Sequence, residues 1–322
     1  MQLGLESFSY HLAFTMGRMD IFDFIQRTAQ LGLEGIQINV VRGKNWGHLG
    51  GNDSTHLEKI RTMVKDLGFF IEIDTRGTDP VHLINALDVC HALGADVLRT
   101  YVSLGGDLAT ELQQAKENIR QVVPKAEELG IRIALENHEY ETSDDMVRLL
   151  ERIDNPQIGL LVDIGNSMMV LEDPLSAIRN MAPYAISAHF KDHVVIDNGE
   201  SFRVVGVPIG MGNIDIEACF RILVAKSGLT RINIEESYGY SAPYRMSPHE
   251  SNDLNFLGAA FRRYPMPHDP AVIAPYLSES IPSDETEQYL VWQDLAVQHS
   301  VAQMKRIIRL FSKKGFNPPI NK

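Results

Sequence analysis

Four side chains that commonly bind metal ions each stand at the end of a short apolar run. They are Glu136 in IALENH, Asp163 in GLLVDIGN, His189 in AISAHFKD and Glu235 in INIEES. Two or three carboxylates neutralise a hard divalent ion, and a single imidazole is compatible with manganese, cobalt, zinc or iron. The pattern therefore predicts a metal site built from four separate strands, and with it an enzyme.

The elements that carry these residues alternate between strand-like and helix-like sequence. Eight strand-like runs are predicted, and helix-like runs precede several of them at about 20–31, 54–67, 79–93, 108–129 and 214–227. A glycine follows each of these helix-like runs, as expected for a left-handed C-terminal cap: Gly32, Gly68, Gly94, Gly130 and Gly228. Eight such units predict an α/β fold of the (β/α)8 TIM barrel type. An open doubly wound sheet would have fewer strands and a glycine turn after the first strand.

Strand geometry brings the four candidate ligands together. Side chains alternate along a strand, and active sites of such barrels lie at the C-terminal ends of the strands. We therefore expect all four side chains to point inward at one mouth. Glu236 adjoins Glu235, and a register shift of one residue would exchange their positions. Any one carboxylate could instead cap a helix or form a salt bridge.

Composition argues against several classes of function. The 322 residues carry a net charge of −12 and their basic residues are dispersed, which argues against a nucleic-acid partner. Cys90 and Cys219 cannot build a disulfide framework, which favours a reducing compartment. No run approaches the ~20 apolar residues that span a bilayer. The GxG of Gly210 and Gly212 lacks a Rossmann strand before it, so no nucleotide is predicted. We expect a soluble, cytoplasmic protein without a membrane partner.

Five segments of the chain resemble the sugar phosphate isomerase/epimerase family of xylose-isomerase-like TIM barrels. They are LENHEY, DIGNS, HFKD, GVPIGMGNID and INIEE, and the resemblance covers about residues 1–240. It implies one divalent cation, with manganese expected and cobalt, magnesium, zinc or iron as alternatives, held by Glu136, Asp163, His189 and Glu235. It also implies ketoses, inositol ketones or related polyols as substrates. Many relatives have a histidine where this chain has Asn166, so we expect an amide contact to substrate there.

The predicted chemistry is proton abstraction beside a carbonyl. A sugar carbonyl and its neighbouring hydroxyl can chelate a metal, which makes the adjacent C–H acidic. Glu136 and Glu235 would flank the ion and could act as acid and base on the two faces of the substrate. His138 is the competing candidate, because an imidazole of pKa near ~6.5 can shuttle a proton at neutral pH.

Other residues are candidates for substrate contact. Lys191 could hold a substrate oxygen, Arg203 could bind a carboxylate, phosphate or polyol, and Trp46 could form a sugar-stacking wall together with His48. The alternative for Lys191 is a solvated lysine, and for the loop of Trp46 it is a plain flexible segment. His138 likewise could be a surface residue.

The chain continues beyond the eighth predicted strand. We expect residues 1–240 to form the barrel with the metal site and residues 241–322 to form a helical extension. The extension would contain a helix-like run through NFLGAAFRR and a long helix at about 285–313. An apolar stripe recurs along the long helix at helical spacing: Leu290, Leu295, Val297, Val301, Met304, Ile307, Ile308 and Phe311. This stripe would pack on the barrel or on a partner, as a homo-oligomer or with a small second subunit.

Three classes of function stay open. The first and preferred one is a metal-dependent enzyme of keto-sugars or related polyols, acting as an isomerase, an epimerase or a lyase. The lyase variant resembles the C-glycoside deglycosidases, which cleave a C–C bond of 3-keto glycosides with the help of a small subunit. The second class, a nuclease of the endonuclease IV kind, would need further histidine ligands and a basic face, whereas the candidate histidines here are few and the net charge is negative. A non-catalytic barrel subunit is the alternative outside enzymology.

Overall fold

Eight parallel strands close into a barrel, which confirms the predicted TIM barrel fold. The computed structural model describes residues 1–41, 44–102, 105–197, 202–245, 257–265, 269–274 and 281–313. The barrel strands are β1 (Gln2–Glu6), β2 (Gly35–Asn39), β3 (Phe70–Asp74), β4 (Val97–Tyr101), β5 (Arg132–Glu136), β6 (Ile158–Asp163), β7 (Ala185–Phe190) and β10 (Arg231–Ile234). β10 pairs with β1 and β7, which closes the ring.

Helices surround the barrel, and a polar side chain starts most of them. The helices are α1 (His11–Thr15), α2 (Ile21–Gln30), α3 (Ser54–Asp66), α4 (Pro80–Leu93), α5 (Leu108–Leu129), α6 (Ser143–Ile153), α7 (Pro174–Met181), α8 (Ile216–Lys226) and α9 (Thr286–Lys313). Aspartates accept hydrogen bonds from first-turn amides of six of them: Asp20, Asp53, Asp79, Asp107, Asp173 and Asp215. These caps define the first residue of each of the six helices.

Four of the five glycines predicted to end helices have the left-handed backbone conformation that was expected. Gly32, Gly68, Gly94 and Gly130 have φ values between 63° and 80°, a region that side chains other than glycine rarely adopt. Gly228 does not follow this pattern. The residue that caps the C-terminus of α8 is Ser227, whose backbone is extended with φ −111° and ψ 165°.

A second sheet of four strands, which the sequence patterns did not predict, is built from segments that follow β7 and β10. Its strands are β8 (Asp192–Asp197), β9 (Phe202–Val207), β11 (Ser241–Pro243) and β12 (Arg263–Pro265), in the order β11-β9-β8-β12. The helix predicted through NFLGAAFRR is wrong over its described part. Residues 257–265 contain a 3₁₀ turn at Ala259–Phe261 followed by β12, which pairs with β8, so sheet pairing overrides local helix propensity. Residues 255 and 256 lie outside the described part.

The long C-terminal helix packs on the chain's own barrel. α9 (Thr286–Lys313) lies between α2 and α8: Arg27 forms an ion pair with Asp294, and Phe220 packs edge-on against Phe311 with ring centroids 5.2 Å apart. Most of the predicted apolar stripe is buried or packed against the core, but Leu295 is 53% exposed. The domain boundary at residue 240 stays a prediction. No helix among the described residues is long and apolar enough to cross a membrane.

Candidate metal centre and its cavity

The four predicted ligands meet at the C-terminal mouth of the barrel. One donor atom from each of Glu136, Asp163, His189 and Glu235 lies within 4.8 Å of the other three. His189 Nδ1 is 3.1 Å from Glu136 Oε1, 3.2 Å from Glu235 Oε2 and 3.7 Å from Asp163 Oδ2. β10 ends at Ile234, and Glu235 rather than Glu236 enters the cluster. Glu236 instead accepts a hydrogen bond from Ser300 of α9.

The remaining oxygens of two carboxylates are held by neighbouring groups. Asp163 Oδ1 accepts backbone hydrogen bonds from Gly165 and Asn166, at 2.8 and 3.0 Å. Glu136 Oε2 accepts a hydrogen bond from the guanidinium of Arg99. These contacts turn the other oxygen of each carboxylate toward the cluster.

The four donor atoms of the cluster are orphaned. Glu136 Oε1, Asp163 Oδ2, His189 Nδ1 and Glu235 Oε2 are all buried, and no hydrogen bond of acceptable geometry from the described residues reaches any of them. Buried polar atoms are nearly always satisfied, and Lys191 Nζ lies at ion-pair distance from only two of the four, Asp163 Oδ2 and Glu235 Oε2. Three carboxylate oxygens and one imidazole nitrogen are a donor set that a divalent ion would satisfy.

A chain of hydrogen bonds orients the imidazole of His189. Its Nε2–H donates to Gln37 Oε1 at 2.5 Å, and Gln37 Nε2 donates to Glu72 Oε2 at 3.0 Å. Glu72 Oε2 also accepts from Ser187 Oγ and Asn233 Nδ2, which fixes which end of the Gln37 amide faces the histidine. In the neutral form of His189 the proton is therefore on Nε2, so that the lone pair of Nδ1 would face the cluster, as metal binding requires.

Lys191 lies directly beside the cluster. Its Nζ is 2.8 Å from Asp163 Oδ2 and 2.5 Å from Glu235 Oε2, and it donates to Asn166 Oδ1 at 3.2 Å. The side chain is only 6% exposed, so the alternative of a solvated lysine does not hold. The structure thus brings Lys191 and Asn166 to the candidate centre.

The charged groups of the cluster shift the pKa values of one another. Burial alone would lower the pKa of His189, but the surrounding Glu235, Asp163 and Glu136 raise it well above its usual value. Burial would raise the pKa of Glu235, yet the charges of Lys191 and His189 outweigh it and lower that pKa well below the usual value. The carboxylates therefore favour a positive charge on His189, and the neighbouring cations favour a negative charge on Glu235.

A cavity of about 390 Å³ opens above the cluster. Its wall includes Glu235, Lys191, Asn166 and His138, four of the residues predicted to contact substrate or transfer a proton. The ring of His138 stacks on Tyr101 with centroids 4.0 Å apart. Burial, followed by the charges of Arg99 and Lys191, lowers the pKa of His138 to about 3. The imidazole is thus neutral at pH 7, unlike the shuttle titrating near neutrality that the sequence suggested.

Two predicted contact residues lie away from this cavity. Trp46 packs near His82, with ring centroids 6.5 Å apart, and contributes to a separate surface recess. Arg203 lies on β9, where its guanidinium donates to Ser241. Neither is among the described residues that line the 390 Å³ cavity. His48, from the same segment as Trp46, does line it, and its ring stacks on Phe14 at 4.1 Å.

Several residues of the site were not among the predicted ones. Arg99 bridges Asp74 and Glu136, and Gln37 and Glu72 orient His189. Four polar residues within β2 to β4 interrupt apolar sequence at alternating strand positions: Gln37, Glu72, Asp74 and Arg99. These polar residues could have been predicted to belong to the site, because a barrel lumen admits a charged side chain only when it is paired.

Comparison with known proteins gives a family and several relatives. The family described as xylose isomerase-like TIM barrel matches residues 25–250. The 3-oxo-isoapionate decarboxylase of Pectobacterium atrosepticum is 28% identical over 197 residues, 61% of this chain and 70% of that protein. The uncharacterized protein YihM of Escherichia coli is 24% identical over 255 residues, 78% of each chain. A crystal structure of D-psicose 3-epimerase in the presence of D-fructose matches with a TM-score of 0.65 at 14% identity, covering 95% of this chain and 99% of that one, which shows a shared fold.

Proposed function

Because the chain belongs to the xylose isomerase-like TIM barrel family, we propose that it is a divalent-metal-dependent enzyme acting on a keto-sugar or related polyol. The reaction removes a proton from the carbon beside the carbonyl, in an isomerisation or epimerisation. The observation that carries this proposal is the set of four orphaned donor atoms beneath a polar cavity of about 390 Å³. A cavity of that size lies within the range of small-molecule sites.

Glu136, Asp163, His189 and Glu235 would hold the ion. When bound, a divalent ion polarises a substrate carbonyl and so acidifies the neighbouring C–H. The proton passes between substrate and one or more of Glu136, Glu235 and His138. Lys191 and Asn166 hold substrate oxygens, because their polar groups line the cavity next to the cluster. Manganese is the ion we expect, with cobalt, magnesium, zinc and iron as alternatives.

A second candidate reaction breaks a C–C bond beside the carbonyl. The relative that is 28% identical carries the name of a decarboxylase, an enzyme that breaks such a bond. A lyase that cleaves 3-keto C-glycosides would belong to the same class and would use the same four ligands. In either reaction the carbonyl accepts the electron pair of the broken bond.

Association with other chains stays a prediction. The enzyme would act as a homo-oligomer or together with a small second subunit, and its substrate would be a small carbohydrate rather than a nucleic acid. A non-catalytic barrel subunit is the remaining alternative, and it is disfavoured by a complete set of four donor atoms next to a cavity whose wall includes Glu235.

The proposal is tested with metal-analysed protein in deuterated water. Ketoses, inosose and 3-keto glycosides are incubated with apo and manganese-loaded protein, and C–H exchange and products are followed by NMR. We expect metal-dependent exchange at a carbon beside the carbonyl, and the product distinguishes isomerase, epimerase and lyase. A protein that binds no divalent ion would contradict the metal-dependent function.

A further inference from the structure

Arg76 follows β3 at a position whose side chain faces the cavity. Glu72, Asp74 and Arg76 occupy every second position at the end of β3 and just beyond it. Side chains at this spacing point to one side of a strand. Glu72 accepts hydrogen bonds across the barrel from Ser187 and Asn233, so this side is the lumen. Arg76 is the outermost of the three and lines the cavity of about 390 Å³.

The backbone on both sides of Arg76 is fixed to the neighbouring strand. The N–H of Thr75 donates to Arg99 O at 2.9 Å, and the N–H of Gly77 donates to Tyr101 O at 3.0 Å. Hydrogen bonds from alternate residues continue the parallel pairing of β3 with β4 beyond the end of the strand. The position of Arg76 at the barrel mouth is therefore set by sheet pairing rather than by a free loop.

Each carboxylate among the described residues that line the cavity is paired with a cation of the chain. The three pairs are Asp74 with Arg99, Glu139 with Arg245 and Glu235 with Lys191. Two of the three described cations in the wall, Arg99 and Lys191, are thereby matched by carboxylates of the protein itself. The third cation is Arg76.

Arg76 has no carboxylate of this kind. Its side chain forms no ion pair and no hydrogen bond with any described residue. Arg76 and Val41 also line a second recess of about 450 Å³, which adjoins the cavity, so there is open space around the guanidinium. A planar guanidinium with free N–H groups matches the oxygens of a carboxylate or a phosphate. The loops after the strands of such barrels carry the residues that contact substrate.

We infer that Arg76 is a specificity-determining residue that binds an anionic group of the substrate, which is therefore an acidic keto-sugar rather than a neutral ketose. This inference rests on the proposed function and extends it to a substrate class. The ketone end of the substrate lies over the four-residue cluster, and its carboxylate or phosphate ester accepts hydrogen bonds from the guanidinium. A neutral hydroxymethyl group at the same place would form only a weaker, uncharged contact.

Three ketoses that differ at one end provide the test. L-Sorbose, 5-keto-D-gluconate and L-sorbose 6-phosphate share the ketone, its neighbouring hydroxymethyl group and the configuration of every chiral carbon. The end away from the ketone carries a hydroxymethyl group, a carboxylate or a phosphate ester. In isothermal titrations of manganese-loaded protein, we expect at least one acidic ketose to bind about tenfold or more tightly than L-sorbose. The tighter of the two identifies carboxylate or phosphate as the recognised group, and no preference over L-sorbose overturns the inference.

Arg76→Gln should remove this preference. The affinity for the acidic ketose should fall by about 10- to 100-fold, the usual contribution of a charge-assisted hydrogen bond, while the affinity for L-sorbose should not change. Arg76→Lys should retain part of the preference, because it keeps the charge but loses the planar fork. An unchanged affinity in Arg76→Gln would show that the anionic group binds elsewhere, such as on the metal, and overturns the inference.

The matched control is Arg61→Gln. Arg61 is an exposed arginine of α3 and is not among the described residues that line the cavity. Its replacement changes the net charge by the same amount but should leave the affinities for all three ketoses unchanged. An equal loss in Arg61→Gln would mean that the net charge of the protein, and not a contact with Arg76, attracts the acidic ketose.

Manganese binding separates this inference from the proposed function. Arg76→Gln should bind manganese with wild-type affinity, because the side chain of Arg76 contacts none of the four donor residues. Wild-type protein that binds no divalent ion refutes the proposed function, while titration of the metal-free protein with the three ketoses still tests Arg76. Metal-dependent exchange that is equally fast for neutral and acidic ketoses, in wild type and in Arg76→Gln, supports the proposed function and overturns the role of Arg76.

Discussion

At the scale of single residues, specific neighbours direct three of the four donor atoms of the candidate centre. Gln37 turns the lone pair of His189 inward, two backbone amides turn Asp163, and Arg99 turns Glu136. Such supporting contacts determine ligand orientation and basicity as much as the ligand types do. The contacts of Gln37 and Arg99 can each be tested by substitution.

Replacing Gln37 with Met should weaken manganese binding. The variant keeps a similar side-chain shape but leaves His189 Nε2 without its acceptor, so the ring loses its fixed orientation. Loss of such a partner typically costs about 10- to 100-fold in metal affinity. Isothermal titration of apo protein with Mn²⁺ measures the change, with the exposed Gln121→Met as control. Equal affinities of wild type and Gln37→Met would contradict the role given to Gln37.

Replacing Arg99 with Met should strongly destabilise the metal-free fold. The side chain of Arg99 is 4% exposed, and its guanidinium lies between two buried carboxylates, Asp74 and Glu136, which would both lose this cation. Removing one member of a buried ion pair costs about 3–5 kcal/mol. Urea unfolding in the presence of a chelator measures this free energy.

The matched control is Arg148→Met. Arg148 forms an exposed ion pair with Asp144 at 3.3 Å, and such surface pairs contribute less than about 1 kcal/mol. A loss for Arg99→Met no larger than for Arg148→Met would show that the buried triad contributes nothing special to the free energy of unfolding.

At the scale of elements, α9 connects distant parts of the barrel wall. Asp294 of α9 accepts from Tyr10 at 2.6 Å and pairs with Arg27, and Gln293 accepts from the backbone N–H of Ala13 at 3.2 Å. Ser300 binds Glu236, the neighbour of the proposed ligand Glu235. The helix therefore supports two of the segments that shape the cavity.

The packing of α9 can be measured with two substitutions of similar chemistry. Met304 is fully buried against the core, and Leu295 is 53% exposed. Met304→Ala should cost about 2–5 kcal/mol of unfolding free energy because it leaves a cavity. Leu295→Ala should change it by no more than about 0.5 kcal/mol. Chemical denaturation of both variants gives the comparison, and a small effect at Met304 would mean that α9 is not firmly packed.

The second sheet, of strands β11, β9, β8 and β12, was not predicted from the sequence. Its central hairpin pairs DHVVID with FRVVGV, two runs rich in β-branched valine that are separated by a segment containing Asn198 and Gly199. Two such runs around an Asn-Gly pair are a recognised hairpin signal. The loop residues 198–201 themselves lie outside the described part of the chain.

At the scale of the whole molecule, the stability should depend on pH through buried acids that lack a cation. Burial raises the pKa of Glu236 from its usual value to about 8, although Ser300 donates a hydrogen bond to it. The folded pKa lies above the unfolded one, so its contribution to stability is complete below pH 4.5 and is lost as the pH rises toward 8.

Glu236→Gln isolates this effect. The amide oxygen can still accept from Ser300 but does not ionise, so the variant should gain stability relative to wild type between pH 5.5 and 8.5. The gain is about 1.4 kcal/mol for each unit by which the pKa is raised. Urea unfolding of chelator-treated proteins at several pH values measures it. Parallel pH profiles for the two proteins would exclude ionisation of Glu236 from the stability of the fold.

The sequence by itself determined the barrel and grouped the four proposed ligands, except that strand register left Glu235 and Glu236 interchangeable. Strand alternation and helix caps are local patterns, and four of the five expected glycine stops have the left-handed backbone. The C-terminal ends of parallel strands meet at one mouth, so the sequence alone could group the four residues at these ends: Glu136, Asp163, His189 and Glu235.

Only the tertiary structure decided how these residues are supported and which of them face the cavity. The pairing of Arg99 with Asp74 and Glu136, the choice of Glu235 over Glu236, and the exclusion of Trp46 and Arg203 from the cavity depend on contacts between distant segments. Tyr10 and Asp294, for example, are 284 residues apart along the chain. Local patterns carry no information on such distances, because partners are selected by packing and by the cost of burying an unpaired charge.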